Sequence, residues 1–182
     1  MAFDSPLAGE IWDGKYRFKP RGGGGDDSVD ATWDRIAAAV AEAEAPKARA
    51  RWRDRFREAL SGYRFLPAGR IIAGAGTGRA VTLFNCFVMG TVPDDLNGIF
   101  EHLREAAVTM QQGGGVGMDF STVRPSGAAV KGVGAEASGP LSFMDVWDSM
   151  CRTIMSAGQR RGAMMGCLRI DHPDIEAFID AK

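Results

Sequence analysis

Three cysteines, two histidines and several arginines set in glycine-rich loops are the residues of this 182-residue chain best suited to chemistry. Cys86 lies in Val81-Thr-Leu-Phe-Asn-Cys-Phe-Val88, an apolar, β-branched run that predicts a strand. A cysteine there is usually inert core filling. The neighbouring Asn85 is a small hint against that, because a polar residue suggests a strand end near a site. By alternation Asn85 and Cys86 face opposite sides unless a bulge or strand end intervenes. No nearby residue in sequence would activate the thiol.

Two glycine clusters, Gly74-Ala-Gly-Thr-Gly78 and Gly113-Gly-Gly-Val-Gly117, could let backbone N–H groups approach a phosphate. Neither is followed by Lys-Ser/Thr, and the second ends a helix instead of opening one, so tight packing between elements is an equal account. Gln159-Arg160-Arg161-Gly162 sits in a loop between a predicted helix and strand. Its guanidinium forks could meet phosphates or a base, or form a solvated turn. Arg124 and Lys131, in the long loop 121–139, fit the same idea.

The elements that must position these residues follow from periodicity. Residues 1–27 read as mostly irregular, with Gly22–Gly25 and Asp26-Asp27 a flexible linker by composition. Trp33, Ile36, Ala37 and Val40, then Trp52, Phe56 and Leu60 beyond Pro46, predict two helices within 30–61. From residue 65 glycine and β-branched residues take over, and Ile71-Ile72 is a strand candidate. Helices are predicted at 94–112, with Ile99, Leu103, Ala106 and Met110 on one face, and at 140–156, with Phe143, Trp147, Met150 and Ile154 inward. A strand around 164–170 precedes a final helix. Strands and helices alternating after a helical preface predict an α/β fold, with a helical region at 1–64 and the α/β part at 65–182.

The totals exclude several classes. A formal net charge of −1 gives no reason to expect nucleic-acid or membrane-surface binding. Three widely spaced cysteines are not a disulfide framework, and no zinc spacing involves His102 or His172, so no metal site is expected. Without a signal peptide or a transmembrane-length apolar run, a reducing cytoplasm is the expected compartment. Residues 174–182 read as a helix with no stop signal, which leads us to expect a fragment or one half of a split protein.

In order along the chain come Phe65-Leu-Pro-Ala-Gly-Arg-Ile-Ile-Ala-Gly-Ala-Gly-Thr77, Leu83-Phe-Asn-Cys-Phe-Val88, Thr109-Met-Gln-Gln-Gly-Gly-Gly-Val-Gly-Met-Asp-Phe-Ser-Thr-Val-Arg-Pro125, Ala137-Ser-Gly-Pro-Leu-Ser-Phe-Met144, Ser156-Ala-Gly-Gln-Arg-Arg-Gly-Ala-Met-Met165 and Asp171-His-Pro-Asp-Ile-Glu176. This succession resembles the start of the large chain of adenosylcobalamin-dependent (class II) ribonucleotide reductases, over about residues 10–182. The resemblance implies a ten-stranded α/β barrel around a radical site, of which this chain holds only the first strands after a short helical region.

The resemblance also implies roles. Cys86 matches one of two thiols that reduce the ribonucleotide substrate. Asn85, Cys86, Gly115 and Gly117 match substrate contacts. Asp94, Arg124 and Lys131 match contacts to a deoxynucleoside triphosphate effector. Loops 121–139 and 157–163, the latter holding Gln159, Arg160, Arg161 and Gly162, resemble the mobile loops that carry the effector's message to the substrate base. Adenosylcobalamin would be held mainly by parts of the barrel absent here. So would the radical cysteine and the disulfide partner of Cys86, which leaves Cys151 and Cys167 as structural. The implied partners are a second polypeptide completing the barrel, a thioredoxin-type reductant and a second copy in a homodimer. A non-catalytic deoxynucleotide-binding regulatory module and a decayed remnant are the alternatives.

Overall fold

The computed structural model describes residues 3, 5–130, 132, 134–154 and 162–181. Lys131, Gln159, Arg160 and Arg161, expected above to contact nucleotides, lie outside the described residues. The chain divides between Asn85 and Cys86 into two compact units, each with its own core.

The first unit is helical. Contrary to the expectation for 1–27, α1 spans Pro6–Ile11 and continues as one π-helical turn, Trp12–Tyr16. Ser5 caps α1 by accepting from the Ala8 N–H at 3.3 Å, with Pro6 in the first turn. Ser-Pro was therefore a readable start signal. α2 (Val29–Ala41) and α3 (Arg49–Leu60) pack together, burying Trp33, Ile36, Ala37 and Leu60. Val40 stays 39% exposed, at the edge of the predicted apolar stripe.

The Ile71-Ile72 strand candidate is a helix, α4 (Gly69–Gly74). Its Ile72, with Ala75, completes the core formed by Val29, Trp33 and Ile36, and this tertiary burial overrides β-branched propensity. Composition changes at residue 65, but residues 65–85 thus fold with the helical unit.

The expected linker is instead an anchor. Asp26 is buried and accepts from Phe18 N (3.1 Å), Thr32 Oγ1 (2.8 Å) and Arg35 Nε and Nη2 (3.0 and 2.8 Å). Arg35 also donates to the carbonyls of Ile72 (3.0 Å) and Ala75. Burial alone would raise the Asp26 carboxyl. The hydrogen bonds from Arg35, Phe18 and Thr32 outweigh it and hold the group below the usual carboxylate range. A pairing nine residues apart leaves no trace in composition.

The second unit is α/β. β1 (Cys86–Thr91), α5 (Leu96–Gln111), β2 (Gly115–Asp119), the short hairpin β3 (Ala129–Val130) with β4 (Ala135–Glu136), α6 (Gly139–Thr153), β5 (Met164–Cys167) and α7 (Ile175–Asp180) follow in order. β1, β2 and β5 form a parallel sheet in that order, and no closed barrel is formed. α5 starts where predicted, with Asp95 capping the Gly98 N–H at 2.9 Å. It ends in a paired cap, in which the Gly113 N–H bonds Met110 O (2.9 Å) and the Gly114 N–H bonds Thr109 O (3.0 Å). Gly113 there takes φ = 95°, a left-handed conformation that favours glycine. A side chain on Gly114 would sit 2.7 Å from the Phe87 ring. The second glycine cluster is accordingly a helix stop leading directly into β2.

One sheet face is packed. Val116, Met118, Met89 and Met164 meet Ile99, Ala106 and Met110 of α5 and Trp147 of α6. Trp147 stands edge-on to Phe120, with ring centroids 5.3 Å apart.

Candidate functional site

The other face of the sheet is bare along its two outer strands, β1 and β5. Alternation from the packed residues puts Cys86 and Val88 of β1, Gly115 and Gly117 of β2, and Met165 and Cys167 of β5 on it. Cys86 is exposed, Val88 is 94% exposed and Met165 60%. Register places Cys86 opposite Gly115 and Val88 opposite Gly117. A thiol and two strand positions without side chains therefore adjoin on this face; Gly115 is itself buried, and Gly117 is half-buried with the Met165 side chain lying against it. Asn85, exposed, immediately precedes the strand. The predicted strand 81–88 is observed at Cys86–Thr91, so Cys86 opens it rather than lying inside it.

The remaining expected residues fall at opposite ends of this sheet. Because the strands are parallel, Cys86, Gly115 and Gly162, which precedes β5, share the N-terminal end. Asp94 and Arg124 follow β1 and β2 and share the C-terminal end. Arg124 donates through Nε to both Asp94 carboxylate oxygens (3.0 and 2.9 Å), through its backbone N–H to Oδ1 (3.0 Å) and through Nη2 to the Asp94 carbonyl (3.2 Å). Partial burial raises the Asp94 carboxyl, but these bonds win and hold it below its ordinary value. The pair leaves further guanidinium and carboxylate positions open to solvent, each side chain being about one-third exposed.

The other two cysteines differ from each other. Cys151 is partly buried, donates to the Gly162 carbonyl at 3.6 Å, and has its thiol pushed up by burial and by the Asp148 carboxylate. Cys167 is exposed on the same bare face as Cys86. It pairs with Asp119, four residues along β2 from the partner of Cys86 and two strands away. At ~3.3 Å per residue and ~4.8 Å per strand, the two are roughly 16 Å apart. That is far beyond the ~7 Å Cα limit for a disulfide.

Residues not singled out for a role in the sequence hold segment 121–126 at the C-terminal end of the sheet. Ser121 Oγ accepts from the Arg169 N–H (2.9 Å) and donates to Asp119. Thr122 Oγ1 donates to Val92 O (2.5 Å), and Asp174 accepts from the Ser126 N–H (2.9 Å). His172, buried, bonds the Val123 carbonyl through Nε2 at 2.9 Å. The Asp171-His-Pro-Asp motif was a visible signal, but the residues it reaches lie nearly fifty positions upstream.

Comparison with known proteins agrees with this division. Residues 84–182 match the family model described as the ribonucleotide reductase barrel domain, and residues 2–80 the ribonucleotide reductase all-alpha domain. The chain belongs to the ribonucleotide reductase large-chain family. The vitamin B12-dependent ribonucleoside-diphosphate reductase of Mycobacterium tuberculosis is 40% identical over 159 residues, covering 86% of this chain and 23% of that protein. The protein of the same name from Thermoplasma acidophilum is 41% identical over 129 residues, 71% of this chain and 16% of the relative. The ribonucleoside-diphosphate reductase subunit alpha of Chlamydia muridarum is 30% identical over 150 residues, 82% and 14% respectively. The chain thus spans less than a quarter of each of these relatives.

The residues described do not by themselves fit a corrinoid. The surface hollow along the start of α5 (Leu96–Glu101) is open and lies away from Cys86 in the sheet, and the one between α2 and α3 belongs to the helical unit. No residue of this chain is therefore assigned to cobalamin. Among the described residues no cluster of His, Cys, Asp and Glu could hold a metal ion, and no helix is long and apolar enough to cross a membrane.

Proposed function

We propose that this chain supplies the first strands of the catalytic barrel of a class II ribonucleotide reductase, and that Cys86 is one of the two thiols that reduce the substrate. The observation that carries this reading is the register that sets the exposed Cys86 directly beside Gly115 on the sheet face away from α5 and α6. The ribonucleotide lies across Gly115 and Gly117 beside Asn85. Cys86 and a cysteine contributed by the rest of the barrel give two electrons and two protons and become a disulfide: the 2′ carbon–oxygen bond breaks, the hydroxyl leaves as water with one of these protons, and the other proton with the two electrons forms the new 2′ carbon–hydrogen bond. An external dithiol of thioredoxin type then restores both thiols. The names of two of the relatives above point to cobalamin as the group that, when bound, supplies the starting radical.

The effector, a deoxynucleoside triphosphate, binds at the other end of the sheet through Asp94, Arg124 and Lys131. Gln159, Arg160, Arg161 and Gly162 form the loop that meets the substrate base. The working enzyme is cytoplasmic, needs a second polypeptide to complete the barrel, and pairs as a homodimer.

The test is ribonucleotide reduction by this chain with and without the complementary reductase polypeptide, given adenosylcobalamin and a dithiol. Deoxyribonucleotide formed only by the pair is expected. A stable pair that forms none would contradict the reading.

A further inference from the structure

The Asp171–Asp174 motif has so far no part in the chemistry, yet it makes several long-range polar contacts within the second unit. The His172 ring is buried, with only 7% of the residue exposed. Its Nδ1 accepts from the Asp174 N–H at 3.1 Å, which puts the ring proton on Nε2, and Nε2 then donates to the Val123 carbonyl at 2.9 Å. Arg124, the next residue, holds Asp94 through both side chain and backbone. On the far side of the same segment Asp174 accepts from the Ser126 N–H. Two short stretches, 92–94 and 169–174, thus clamp residues 121–126 from both sides. The second stretch directly continues β5, whose other end carries Gly162.

We infer that His172 is a positioning residue for effector reading: through Nε2 it fixes the Val123 carbonyl, and with it the backbone direction from which Arg124 meets Asp94 and the effector. This rests on the effector assignment made above. A buried donor to a backbone carbonyl is worth more than its net hydrogen-bond energy, because losing it leaves that carbonyl unsatisfied. A ring acting only as core filling would tolerate any side chain of similar volume. A ring acting through Nε2 demands a donor at that atom.

The variants separate these roles. His172→Gln can keep an amide N–H near the Nε2 position. His172→Asn keeps only an acceptor near Nδ1, and Asp174→Ala removes the exposed Ser126 contact without touching the ring. Amide hydrogen exchange of residues 121–128 and dTTP affinity are measured on the chain assembled with its complementary polypeptide. His172→Asn is expected to speed exchange of that segment by roughly tenfold and to weaken dTTP by at least about fivefold. His172→Gln should restore both, and Asp174→Ala should speed exchange near Ser126 alone. Exchange in β1 and β2 should not move. Equal behaviour of the Gln and Asn variants, or faster exchange with unchanged dTTP affinity, would overturn the inference. Failure of the wild-type assembly to bind dTTP would instead overturn the effector reading beneath it.

Discussion

The two units solve the problem of burial in opposite ways. The helical unit closes on itself. Its core is sealed by Trp33, Ile36, Leu60 and Ile72, and the buried Asp26–Arg35 pair ties the turn after Phe18, helix α2 and the end of α4 together. The α/β unit packs only one side of its sheet and leaves Cys86, Val88, Met165 and Cys167 bare on the other. A charged pair is buried in the first unit, and an apolar face is left open around the thiol in the second. The difference is one of completeness: the helical unit has its core closed by its own residues, whereas the α/β unit leaves one sheet face without a covering layer among the described residues.

The largest expected effect breaks the open face. Cys86→Ser in the complete assembly should abolish sustained deoxyribonucleotide formation, measured as product per chain over many turnovers, because a serine cannot donate an electron through disulfide formation. Next comes the packed side of the same sheet. Trp147→Ala removes a fully buried ring and its edge-on contact with Phe120. It should cost about 3–5 kcal/mol, read in a denaturant titration of the assembly by a probe in the α/β unit.

In the helical unit, Asp26→Ala leaves the Arg35 guanidinium buried without its partner, at a cost of about 3 kcal/mol in a titration read by a probe in that unit. The pH dependence of this pair has a definite sign. The folded Asp26 carboxyl lies below its ordinary value of 3.8, so its contribution is fully present above about pH 4 to 5 and is lost as pH falls through the folded value. Helical-unit stability should therefore drop below pH 4 in the wild type and lose much of that slope in Asp26→Ala. The smallest effect on stability belongs to the bare face. Val88→Asp, at a site 94% exposed, should change the stability of the chain itself by no more than about 0.5 kcal/mol. It should nonetheless reduce activity of the assembly, where that face is covered.

What the sequence disclosed depended on the range of the interactions involved. The Ile99, Ala106, Met110 stripe of α5, its Asp95 cap and its glycine stop are local patterns, and all three are found in the structure. The register of Cys86 opposite Gly115 could not be read from periodicity, because parallel pairing joins residues separated by a whole helix. Ile71-Ile72 misled for the same reason: what decides helix or strand there is the core formed by Val29, Trp33 and Ile36. Asp26 and His172 are the plainest cases. Each reads as an ordinary loop residue until the partners that bury it, Arg35 and the Val123 carbonyl, are brought alongside.

The most direct test is the redox state of Cys86 after turnover. The assembly is reduced, freed of external dithiol, given ribonucleotide and adenosylcobalamin, quenched with an alkylating reagent and mapped by mass spectrometry. We expect Cys86 to escape alkylation and appear in a disulfide with a cysteine of the complementary polypeptide, in proportion to product formed, while Cys167 is alkylated. Product formed with Cys86 still fully alkylated would contradict its role as a reducing thiol.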